Sequence, residues 1–112
     1  MIAVIFEVEP AEGHRDAYLG IAAQLKPLLE TMPGFISVER FQSLTNKGKV
    51  LSLSFWKDEA SVAGWRNTME HRKAQAAGRA EHFANYRLRI AAVVRDYGMH
   101  ERREQAPADS PF

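Results

Sequence analysis

The 112-residue sequence predicts an α+β domain whose elements run β-α-β-β-α-β around an antiparallel sheet. Three observations carry that prediction. Residues Ile2 to Val8 alternate, with Ile2, Val4, Phe6 and Val8 on one side and Ala3, Ile5 and Glu7 on the other, the period of a strand. Tyr18, Ile21, Ala22, Leu25, Leu28, Leu29 and Met32 then recur at helical spacing. Farther on, two β-rich runs flank the turn sequence "TNKGK".

The first helix is expected over roughly residues 14–31, with a bend near Ala23 because Pro27 removes a backbone donor inside it. "MPGF" stops it, and residues 35–43 and 50–56 form the hairpin of strands two and three. Asp58 is a cap for a second helix burying Val62 and Trp65. Asn67 followed three residues later by Glu70 has the capping-box pattern, so a further helix is expected from near Thr68 past Gly78, with a break just after Trp65. Residues 86–97 read as the fourth strand, and the charged, proline-containing residues 100–112 as a loosely ordered tail behind a domain of residues 1–99. This order is the ferredoxin-like arrangement. Apolar residues occur on both sides of strands one, three and four, so the face away from the helices needs a second cover, and a homodimer pressed sheet to sheet supplies one.

Composition bounds the partners. A net charge of +1, with 15 basic against 14 acidic residues interspersed, offers no field for nucleic acid. The absence of cysteine removes thiolate chemistry, and no segment reads as a signal or a membrane span, so a cytoplasmic protein without membrane partners is expected.

With "MPGF", "VLSLSFWKDEASVAGW" and "VVRDYG", the chain resembles the antibiotic biosynthesis monooxygenase family of dimeric α/β barrels over residues 1–99. The resemblance implies a pocket between sheet and helices in each subunit. It also implies oxidation of a phenolic or quinol-like ring by dioxygen with neither metal nor flavin. One branch of that family degrades haem, which makes haem the alternative cofactor. Trp65, nine residues after Trp56, stands where that branch has its pocket tryptophan, whereas Glu7 and Gln75 stand where it has an asparagine and the iron-ligating histidine. An axial ligand would have to come from His71 or His82.

From the residues themselves, Trp65 can stack on a flat ligand and donate its indole N–H, or simply close the core. His71, Gln75, Gly78 and His82 fall at i, i+4, i+7 and i+11, one stripe of a continuous helix that either lines a polar pocket wall or faces solvent. His71 is the expected base for a phenolic proton, and Glu7 the second candidate if it lies in the pocket without an arginine partner. A salt bridge from Glu7 to Arg87, Arg89 or Arg95 is its structural alternative. The third reading of the whole chain is a dimer that binds a small aromatic without turning it over.

Overall fold

The computed structural model describes residues 1–71 and 82–112, with side chains described up to Thr68 and again from His82. Within it β1 (Ile2–Pro10), α1 (Arg15–Leu29), β2 (Phe35–Gln42), β3 (Val50–Trp56), α2 (Glu59–His71) and β4 (Phe83–Ala92) follow in chain order. The strands form one antiparallel sheet ordered β2-β3-β1-β4, as the β-α-β-β-α-β reading expects.

Register decides which residues meet the helices. Ile2, Val4, Phe6 and Val8 of β1 stand opposite Trp56, Ser54, Ser52 and Val50 of β3 and opposite Ala92, Ile90, Leu88 and Tyr86 of β4. This is the helix-side face. At one end of it Leu29 of α1, Trp56 and Val62 of α2 pack into a cluster with Ile2, Val4, Phe35 and Trp65. At the other end Val8, Val50 and Tyr18 pack with Phe6, Leu19 and Phe83. The opposite face carries Ile5, Leu51, Leu53 and Phe55 together with Glu7 and Arg89, and no described helix crosses it.

Gly34 joins α1 to the sheet at a point where only glycine fits. Its φ is +80°, and a Cβ there would lie 1.9 Å from the Ser61 hydroxyl, so the turn and the start of α2 touch through bare backbone. Its carbonyl accepts the Lys57 N–H at 2.8 Å.

Two expectations are corrected. α2 runs without interruption to His71, and the Thr68 hydroxyl donates to the Gly64 carbonyl one turn back, so no helix starts at Thr68. A capping box works only where the first residue leaves helical geometry, and burying Val62 and Trp65 together holds this stretch helical. Next, β4 begins three residues earlier than expected and ends at Ala92 rather than residue 97. Its partner β1 is exhausted at Ile2, and the Val93 N–H to the Met1 carbonyl is the last rung. Beyond β4 the chain makes local contacts. Asp96 N–H donates to Gln105 Oε1 at 3.0 Å, Arg103 donates to the Gly98 carbonyl and lies over the Tyr97 ring, and residues 103–105 form one 3-10 turn. α1 continues through Pro27 to Leu29. No helix among the described residues is long and apolar enough to cross a membrane.

Candidate active site between the sheet and the second helix

α2 is anchored at its start by Asp58, whose Oδ1 accepts both the Ser61 N–H at 2.8 Å and the Ser61 hydroxyl at 2.7 Å. Those two bonds, the hydroxyl's first, hold the carboxyl below its ordinary value. The cap fixes the rotation of α2, and Val62, one turn on, points into the core. On one side of Val62 lies Trp65, half-buried and stacked on Trp56 at 6.5 Å between centroids and 29° between planes. Trp56 is 1% exposed, meets Phe35 edge-on, and donates its indole N–H to the Ser54 hydroxyl at 2.9 Å. Its polar atom is satisfied, so this residue is core.

On the other side of Val62 the helix stands away from the sheet. Glu59, Ala60, Val62, Ala63 and Arg66 face Ile90 of β4 across a groove of ≈ 390 Å³. The groove follows from sheet order. β4 is the edge strand, and its helix-side residues Tyr86, Leu88 and Ile90 remain 60%, 51% and 44% exposed. Apolar side chains facing a helix layer yet open to solvent are what a ligand-binding surface requires.

The predicted site residues are dispersed. Trp65 borders α2 on the Trp56 side and is not among the groove's lining residues. Glu7 lies on the opposite face of the sheet, paired with Arg89 at 2.6 Å and near Lys49 at 3.9 Å. The Arg89 bond is the main reason its carboxyl sits below its ordinary value, with Lys49 adding to it, so its structural alternative is the one observed. It does not share a cavity with Trp65, because the pleat separates positions 7 and 56 onto different faces. His82 is at the far end of the sheet. Its Nδ1 lies 2.7 Å from His14 Nδ1, and its carbonyl accepts the Ala11 N–H at 2.7 Å. Its neighbour Phe83 pairs with Pro10, whereas Trp56 pairs with Ile2, and eight strand residues span roughly 27 Å. His82 therefore does not reach the neighbourhood of Trp65. Gln75 and Gly78 lie outside the described residues, as does the side chain of His71. Among the described residues no three histidines, cysteines or carboxylates converge to hold a metal.

Arg66, Ala63, Glu59 and Ile90 were not singled out by sequence reasoning as site residues. The one signal available was the i, i+3, i+4, i+7 spacing of Glu59, Val62, Ala63 and Arg66, which mixes charged and apolar residues on one helical strip.

The family described as antibiotic biosynthesis monooxygenase matches residues 1–77. The chain belongs to that family. It is 41% identical over 110 residues, 98% of its own length, to a protein of Pyricularia oryzae named jasmonate monooxygenase ABM, and it spans 51% of that relative. The crystal structure of Rv0793 from Mycobacterium tuberculosis superposes with a TM-score of 0.75 at 15% identity, covering 87% of this chain and 98% of that one. MhuD, crystallised with manganese protoporphyrin IX, gives a TM-score of 0.66 at 19% identity over 88% and 99%. At such identities the two structures share a fold with this chain.

Proposed function

We propose that the chain is a monooxygenase that binds a compact organic ring in the groove between α2 and β4, and that it oxidises a phenolic or quinol-like ring with dioxygen alone. Membership of the family supports the reaction class, and the apolar floor at Ile90 beneath Val62 and Ala63 is the observation that supports the location. The electron balance of that reaction needs no external reductant. A phenol and dioxygen become a quinone and water, with one oxygen atom in each product, and the four electrons dioxygen takes up all come from the ring. The protein has only to bind the ring and remove the phenolic proton. Two proton acceptors are proposed for comparison: Glu59, on the groove itself, and His71, the last described residue of α2.

Haem is the alternative cofactor. Among the described residues no imidazole lines the groove and His82 is engaged with His14, so these residues do not fit an axial ligand, and a haem site would depend on His71. A second substrate reading is favoured by the relative named for jasmonate, an organic acid anion. Hydroxylating an aliphatic carbon takes two of dioxygen's four electrons from the substrate and two from a reductant, so this reading requires an electron donor.

Dioxygen uptake decides among these. One dioxygen per quinone formed, with no added reductant and with activity lost in Glu59→Gln or His71→Ala, is the expected result. Uptake only with a reductant selects the acid, a Soret band lost in His71→Ala selects haem, and binding without uptake reduces the chain to a ligand-binding protein. The active form is proposed to be a homodimer through the face carrying Ile5, Leu51, Leu53 and Phe55, which are half-buried in the single chain and gain further burial from a cover at about 25 cal/mol per Å². Sedimentation as a monomer at micromolar concentration would remove it.

A further inference from the structure

The groove has polarity along its length. Arg66 is its one cation and Glu59 its one carboxylate among the described lining residues, and between them the wall is Val62 and Ala63 with Ile90 opposite. Seven helical residues separate the two charges, roughly 10 Å along the axis. A ligand lying in the groove therefore meets a guanidinium at one end, apolar surface over its middle, and a carboxylate at the other end. We propose that Arg66 selects substrates carrying a carboxylate on a compact apolar body, the acid held by the guanidinium and the neutral, hydroxyl- or carbonyl-bearing end directed toward Glu59. This rests on the groove being the binding site.

Arginine suits that role better than lysine would. Its planar fork gives a carboxylate two parallel hydrogen bonds and so fixes the ligand's direction as well as its charge. Its position on the helix adds to the case. The residues one turn before it, Val62 and Ala63, are apolar, and its aliphatic stem can lie beside them while the charged end reaches the rim. Arg66 is also at least five residues inside the C-terminal end of α2, too far for its charge to be explained by the helix dipole. Glu59 makes the selection one-sided. A dianion with acids at both ends would place one of them against a carboxylate, and a ligand with no acid would forgo the guanidinium. The groove should thus favour monoacids about as long as the span between the two charges.

The test compares jasmonate with its methyl ester, and a few other cyclic monoacids with theirs, by calorimetric titration into the intact chain at low salt. Each acid should bind at least about tenfold tighter than its ester, the scale of one charge-assisted bidentate contact. Arg66→Ala should bring the ratio close to one by weakening the acid and leaving the ester, and Arg66→Lys should restore part of it. Equal binding of acid and ester, an acid preference that survives Arg66→Ala, or no binding of any acid overturns the proposal. Ile90→Trp, which fills the groove from the floor, separates the two levels of failure. If it abolishes binding while the acid preference ignores Arg66, the groove stands and the anion site falls. If it leaves every ligand unaffected, the groove is not the site and both readings fall. Melting curves for each variant confirm that folded protein is being titrated.

Discussion

β3 and β4 flank the same strand and have similar apolar content, yet they occupy opposite environments. Every residue of β3 is buried or half-buried, whereas β4 is exposed from its second residue onward. Both present apolar side chains to the helix side, Val50 and Trp56 from one, Leu88 and Ile90 from the other. Among the described residues the difference follows position in the sheet. β3 lies inside the sheet with α1 and α2 packed on Trp56, and β4 lies at the edge, where α2 stands off. One flank is therefore packed and the other open among the described residues, and substitutions on each can break or sharpen that division.

Trp56→Ala should have the largest effect. Removing a side chain buried to 1% leaves a cavity beside Leu29, Val62 and Trp65, and about 3–5 kcal/mol of stability should go with it, measured from urea midpoints. Trp65→Ala should fall below that, at about 2 kcal/mol, because only one face of its ring is packed against Trp56. Leu88→Ala on the opposite flank should cost under about 1 kcal/mol, since half of that side chain already meets water. Should Leu88→Ala prove as damaging as Trp56→Ala, β4 is covered in solution and the groove is not open.

The same contrast explains what could be read from the sequence. β3 was placed at its observed bounds, because a strand inside a sheet is delimited by its own apolar run and by the turns on either side. The end of β4 was misplaced by five residues, because it is set by where β1 begins rather than by "VVRDY" itself. Asp58 as the cap of α2 was legible, since a cap is a local hydrogen bond, whereas Asn67 and Glu70 offered the same local pattern inside a helix that tertiary packing keeps whole. The groove was not legible. It exists because α2 leans on β3 and away from β4, and no property of Arg66 or Ile90 alone records that. Trp65 drew attention for its size, and a large aromatic residue is as much at home against a second tryptophan as against a ligand.

The smallest predicted effect concerns Glu7, which sits on the open face of the sheet between the two flanks. It reaches Arg89 of β4 at 2.6 Å but Lys49, at the foot of β3, only at 3.9 Å. Its carboxyl is held below its ordinary value of 4.5, chiefly by the Arg89 bond, so the folded protein binds that proton less readily than the unfolded chain does. The resulting stabilisation is complete above pH 4.5 and is lost as pH falls through the lowered value, because protonation then favours the unfolded state. Glu7→Gln should accordingly lower the urea midpoint slightly at pH 7, with the gap to the natural sequence closing in acid. Solvent screening of an exposed pair keeps the effect small and makes it smaller still in high salt. Arg89→Gln should reproduce most of that pH dependence and Lys49→Gln little of it, since only the first partner is within hydrogen-bond distance. An equal response to the two would mean that Glu7 senses the general field of the face, and that β4 gains no particular attachment from it.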